Sequence, residues 1–215
     1  MVQGSGPRPV FRVITTPSEA EENLRLIRSA MERSTRHSTL SGLSGVLAGI
    51  LALAACLVAA AWVGPPAAPE NRLAFVVLWG ATLALAALGD ILLTKRRATR
   101  VGKTAFSPLG RQLARAVAPG LLAGVATTLL YLAHPVEIGP FLYGLWMLCY
   151  AMALLSIGML SVREVSWLGW SFLAAGASTL LLPEGFPIGP RAAMAVSFGG
   201  FHVVYGFWMG IKHGW

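Results

Sequence analysis

LSGVLAGILALAACLVAAAWV, residues 43–63, contains no charged residue, and its reading decides the fold class. A run of about 20 apolar residues is what a helix needs to cross a hydrocarbon core about 30 Å thick. Outward from it, hydropathy places six spans at residues 40–63, 73–93, 113–132, 141–160, 165–182 and 192–211. A bilayer offers the backbone no water, so each span must close its hydrogen bonds within itself as a helix. The expectation is an all-α membrane protein. Six transmembrane helices form three hairpins, preceded by a cytoplasmic amphipathic helix.

Composition agrees with that reading. Of 215 residues, 55% are hydrophobic and only 12% charged, where a soluble domain carries about 25% charged residues. Residues 1–37 are a polar tail with no short apolar core before a small-residue cleavage site, so no cleaved signal peptide is expected. Residues 38–215 make the transmembrane domain. Cys56 and Cys149 both fall inside apolar runs, which suggests neither a disulfide nor a close metal-ligand pair. Arginine outnumbers lysine 14 to 3, and Ala, Gly and Leu dominate, as expected of a GC-rich bacterial coding bias.

The basic residues give an orientation. Apart from Arg72 and Arg191, every Lys and Arg falls in the tail, the connection after the second span, the 161–164 turn, the first turn of the third span or the C-terminus. The positive-inside rule then places both termini in the cytoplasm, in the bacterial inner membrane. The net charge of +8 is thereby mostly topogenic and argues against a nucleic-acid partner. Trp62, Trp167, Trp170, Trp208 and Trp215 lie near span ends, as an aromatic belt requires. The outer loops VGPPAAPENR (63–72), AHPVEIGP (133–140) and LPEGFPIGPR (182–191) are short and proline-rich. Spans 1, 3 and 5 also share a pattern, with GVLAGILAL, GLLAGVATTL and FLAAGASTLL, which suggests three hairpins of one type.

Ahead of the membrane, residues 19–36 read as a helix. Ser18 and Glu21 form a capping box, and Ala20, Leu24, Ile27 and Met31 make a narrow apolar stripe flanked by arginines. Such a helix lies on the inner leaflet with its arginines on anionic headgroups. Lys95, Arg96, Arg97, Arg100 and Lys103 form a second lipid-headgroup cluster. Val-Gly-Lys-Thr at 101–104 ends like a phosphate-binding loop, but Arg97 stands where the first glycine belongs and no strand precedes it.

GGFHVVYGF, residues 199–207, carries the strongest site candidate. His202 shares a helix face with Gly199, Gly206 and Gly210, small residues whose spacing lets another helix approach closely. It is therefore expected to face protein, either as a neutral imidazole bonded to a neighbouring helix or as a ligand contact. Tyr205, one turn on, and Tyr150 and Cys149 in the fourth span are the expected partners of a ligand pocket. Asp90 is expected to pair with the nearby basic cluster or Arg115, and Thr127, Thr128 and Ser156 are lesser polar candidates. His134, His37 and His213 lie at the membrane boundaries and there is no CxxCH motif, so no haem, other cofactor or metal is expected.

Two resemblances add to this. Gly42-Leu43-Ser44-Gly45 before an apolar helix resembles the nucleophile motif of rhomboid intramembrane serine proteases, whose later helix supplies a histidine followed by spaced glycines. It implies an alternative function as a serine hydrolase with Ser44 and His202 catalytic. The serine, however, opens the first span rather than the fourth core helix, and Gly206 follows the histidine by four residues rather than three. MERSTRHSTLSGLSGVLAG (31–49) and SFGGFHVVYGFWMGIKHGW (197–215) resemble the two ends of a family of uncharacterised bacterial six-span membrane proteins. That resemblance implies the topology and the inner-membrane location, and no activity. The leading expectation is a non-enzymatic protein binding a small or lipophilic ligand between its helices, as sensor, small transporter or accessory subunit. Its partners would be anionic lipids and a homo-oligomer or membrane complex, in which a purely structural subunit is the further alternative.

Overall fold

The computed structural model describes residues 21–24, 41–100, 108–181 and 189–213. The chain divides into a short unit, residues 1–36, and a large one, residues 37–215. Within the first, residues 21–24 are helical; the rest of the expected amphipathic helix lies outside the described residues. In the large unit every regular element is helical, and no strand occurs among the described residues.

Helix α1 spans Gly42–Val58 and runs on through a wider π-helical turn, Ala59–Val63. It stops at Gly64, whose φ of 89° is the left-handed backbone that glycine adopts at least cost, and Pro65 and Pro66 follow. A 3₁₀ turn at Pro69–Asn71 leads into α2, Arg72–Arg100, and α3 covers Pro108–Ala133. The short α4, Pro135–Ile138, and a 3₁₀ turn at Gly139–Phe141 lead into α5, Leu142–Gly158. Helix α6 is Arg163–Leu181. The last helical stretch comprises α7, Pro190–Met194, a π segment, Ala195–Phe201, and α8, His202–His213. Prolines at 69, 135 and 190 each open a helix, where the missing N–H costs nothing.

Among the described residues, five stretches are long and apolar enough to cross a membrane: Gly42–Val63, Pro69–Arg96, Gly110–Ala133, Pro135–Gly158 and Pro190–Lys212. The sequence led us to expect six. The fifth expected span, residues 165–182, is a helix over Arg163–Leu181 that is not among the five, and its last expected residue, Leu182, lies outside the described residues. α2 also outruns its expected end at residue 93 and continues to Arg100, carrying Lys95 and Arg96 on the same helix.

Glycines decide how the helices meet. Between lipid-solvated helices there is no hydrophobic drive to associate, so close van der Waals approach supplies much of the cohesion. Gly42, Gly45 and Gly49 of α1 face Gly210, Gly206 and Gly199 of the last stretch. A methyl on Gly45 would lie 2.9 Å from the Gly206 Cα, and one on Gly49 would lie 2.7 Å from the Gly199 carbonyl oxygen. The first and last helices therefore run antiparallel in near backbone contact. Gly120 brings α3 onto α5 at Cys149 and Ala153. Gly144, Gly169 and Gly176 bring α5 and α6 together along their length. An aromatic core of Phe75, Trp79, Tyr131, Tyr143 and Trp146 joins α2, α3 and α5. There Trp146 donates to Thr128 (3.1 Å), and the Tyr131 hydroxyl donates to the Pro66 carbonyl (2.8 Å), tying down the first connection.

Candidate functional site

The π segment Ala195–Phe201 is where this site begins. A π turn spaces backbone pairs by five residues instead of four, and such turns concentrate at functional positions. It places Phe198, Phe201 and His202 toward α5 and α6, against Tyr150 and Phe172. His202 is only 6% exposed. Its Nδ1 lies 3.0 Å from the Phe198 carbonyl and its Nε2 lies 2.8 Å from the Tyr150 hydroxyl. A carbonyl only accepts, so Nδ1 carries the proton and donates. Nε2 is then the acceptor, and Tyr150 donates to it. Both ring nitrogens are satisfied by neutral partners, and the imidazole is a hydrogen-bonded bridge between α5 and the last helix.

Aromatic rings close around that bridge. Phe198 stacks on the imidazole at 6.1 Å, while Phe172 meets it edge-on at 5.3 Å and Tyr150 edge-on at 4.8 Å. Phe172, fully buried, supplies the contact from α6. Sequence reading passed over Phe172 and Phe198, because an aromatic at helical spacing carries no sign of which neighbour it meets.

The four expected ligand residues do not share one pocket. Cys149 faces α3, with its sulfur 3.8 Å from the Thr127 hydroxyl. Tyr150 and His202 pair with each other. Tyr205 lines a groove of about 350 Å³ between α6 and α8, with Glu164, Trp167, Leu168, Ser171, Phe201, Val204 and Trp208. Concave sites for small ligands run from about 300 to 1,000 Å³. Val204, Trp208 and Trp167 are largely exposed on its wall, so the groove opens to the side of the helices rather than into the core. The Tyr205 hydroxyl has no hydrogen-bond partner among the described residues.

At one end of the groove, Lys212 of α8 forms an ion pair with Glu164 in the first turn of α6. The carboxylate side is 6% exposed and the lysine 51%, so a nearly buried acid is compensated by a cation reaching in from the surface. One residue earlier, the Arg163 guanidinium sits 5.7 Å from the centre of the Trp167 ring. Arg163 has no acidic partner among the described residues. The 164–212 pairing escaped sequence reading. An acid opening one helix and a base closing another become a signal only once those helices are known to be antiparallel neighbours.

Against known proteins, the chain matches no family profile, no curated protein and no solved structure. The site is therefore read from its own geometry.

Ser44 and His202, the pair of the hydrolase alternative, are not joined. The Ser44 hydroxyl donates to the Ser41 carbonyl at 2.8 Å, and both nitrogens of His202 are engaged as described. A nucleophile and its base must share a hydrogen bond, and each of these uses its own elsewhere. The lesser polar candidates each bond to their own helix, and Thr127 and Thr128 also meet Cys149 and Trp146 of α5. Thr127, Thr128 and Ser156 donate to carbonyls four residues back in their own helices, at 2.8–2.9 Å. Gly199, Gly206 and Gly210 meet α1. Lys95 and Arg96 are exposed, while the side chains of Arg97 and Arg100 and all of Lys103 lie outside the described residues. Among the described residues no group of His, Cys, Asp and Glu is gathered to hold a metal ion.

Proposed function

We propose that this chain is a six-span membrane protein that binds a lipophilic ligand in the groove between α6 and α8. The observation that carries the reading is the groove itself. It is apolar and aromatic along its length, open sideways and charged at one end, and it contains an unpartnered tyrosine hydroxyl. An amphiphile dissolved in the bilayer can enter such a site without crossing water. Tyr205 then offers a hydrogen bond to a carbonyl or hydroxyl of the ligand, which fixes its depth. The buried His202–Tyr150 bridge holds α5 against the π segment and so maintains the groove's back wall.

Six spans follow from α6 behaving as a crossing helix. Its 19 residues reach about 28 Å at 1.5 Å per residue. Its most polar residue, Glu164, is compensated by Lys212, and its neighbours α5 and α8 run antiparallel to it. Both termini then share one side, which the basic residues make the cytoplasm of a bacterial inner membrane. The role is that of a sensor, a small transporter or an accessory subunit, with no reaction catalysed.

The test combines topology and binding. Single cysteines at Ser161 and Gly189, in a variant with Cys56 and Cys149 replaced by alanine, are expected to react with a membrane-impermeant maleimide from opposite faces of sealed vesicles. Labelling from the same face refutes the sixth crossing. Native mass spectrometry of the gently extracted chain is expected to show one retained amphiphile, lost when Val204→Trp fills the groove. A bare chain, or an adduct that survives Val204→Trp, refutes the ligand site.

A further inference from the structure

Charge at the mouth of the groove narrows the class of ligand, given that the groove is the binding site proposed above. Glu164 lines the groove at its charged end, Lys212 pairs with it, and Arg163 sits beside the lining residue Trp167. Glu164 and Lys212 pair with each other, while Arg163, which has no acidic partner among the described residues, places a positive charge beside the ring of Trp167, itself part of the groove wall. A guanidinium beside an indole ring can still offer its N–H donors to the bidentate acceptors of a phosphate or carboxylate. From this rim the wall descends through Trp167, Leu168, Val204 and Trp208 with no further charge. The arrangement is a cationic head site continuous with a single apolar channel.

We infer that the occupant is an anionic glycerophospholipid, bound with its phosphate at Arg163 and one acyl chain in the groove between α6 and α8. The volume of about 350 Å³ lies at the small end of ligand sites, sized for one chain rather than two. The open side wall, where Val204 is 69% exposed, lets the second chain remain among bulk lipids. Tyr205 lies below the rim and donates to an ester carbonyl of the lipid. Lys212, half exposed, stays engaged in its ion pair with Glu164, so the headgroup contact is assigned to Arg163. This site is distinct from the basic run beginning at Lys95, which lies on α2 and has no part in the groove.

Purified full-length chain in a neutral detergent is titrated with phosphatidylglycerol and with phosphatidylcholine of identical acyl chains, and bound lipid is counted by native mass spectrometry. One phosphatidylglycerol per chain is expected, bound roughly fivefold more tightly than phosphatidylcholine, as one basic side chain near a lipid surface provides. Arg163→Gln is expected to bring the two lipids to equal affinity, while Arg163→Lys retains part of the preference. Arg163 is exposed at a helix start, so neither variant threatens folding. Equal binding of both lipids by the unaltered chain, with Val204→Trp abolishing both, overturns the anionic assignment and leaves the groove standing. Tighter binding of a free fatty acid than of either phospholipid overturns the phospholipid assignment. No adduct, or one indifferent to Val204→Trp, overturns the groove reading and this inference together.

Discussion

Replacing Gly206 with alanine drives a methyl group into the backbone of α1. That carbon would lie 2.7 Å from the Gly42 carbonyl oxygen and 2.8 Å from the Val46 Cγ2, where ordinary contact begins at 3.4 Å. The Gly42 oxygen belongs to a helix and has no rotamer to move into. The two helices must therefore part by several tenths of an ångström along the seam of Gly42, Gly45, Gly49, Gly199 and Gly210. Overpacking of this kind costs about 1–3 kcal/mol. Against it stands a gain of up to about 1 kcal/mol for alanine over glycine within a helix. The net expectation is a loss of about 1–2 kcal/mol. Gly80, on α2, provides the control, because nothing lies within 4 Å of its added methyl. Gly80→Ala is expected to be neutral or to stabilise by up to about 1 kcal/mol. Unfolding in mixed micelles of rising dodecyl sulfate fraction, followed by far-ultraviolet circular dichroism, measures both against the unaltered chain. If Gly206→Ala proves no less stable than Gly80→Ala, the antiparallel contact of the first and last helices is refuted.

Further outcomes follow from the same contacts. Tyr150→Phe removes the donor to His202 but keeps the ring, and should cost about 0.5–2 kcal/mol in the same unfolding assay. His202→Ala should cost more, since it also empties the space between Phe172 and Phe198; a neutral His202→Ala would contradict the bridge. Lys212→Met removes the cation from the nearly buried Glu164 carboxylate, with an expected loss of about 1 kcal/mol after allowing for the exposed lysine. Adding Glu164→Gln should recover part of that loss in a double-mutant cycle, and purely additive effects would deny the pair. Ser44→Ala should lower stability by no more than about 1 kcal/mol and leave retained lipid unchanged, as expected of a hydroxyl bonded only to Ser41.

Much of this architecture is legible in one dimension. Hydropathy marks the apolar runs because the bilayer's thickness imposes a length, and proline and glycine mark most of the boundaries. Gly64 and the Pro69, Pro135 and Pro190 openings are examples. The small-residue face of Gly199, Gly206 and Gly210 announces a close neighbour from its spacing alone. Sequence does not say that the neighbour is α1, forty-odd residues into the chain, because glycine specifies only how near a partner can come. Depth along a span is legible in the same way, while rotation about its axis is not. Cys149 and Tyr150 are adjacent in sequence, yet one faces α3 and the other faces His202, as successive residues on a helix diverge by about 100°.

By itself, then, the sequence determined an all-helical chain with several membrane-length apolar segments and a last helix shaped for close packing. Those properties depend on local composition and on a solvent of known thickness. Tertiary structure alone decided the Tyr150–His202 bridge, the separation of Ser44 from His202, the Glu164–Lys212 pair and the groove that includes Tyr205. Each of these concerns residues about 45 to 160 positions apart. Their meeting depends on which glycine seam faces which, a choice made by shape complementarity between whole helices.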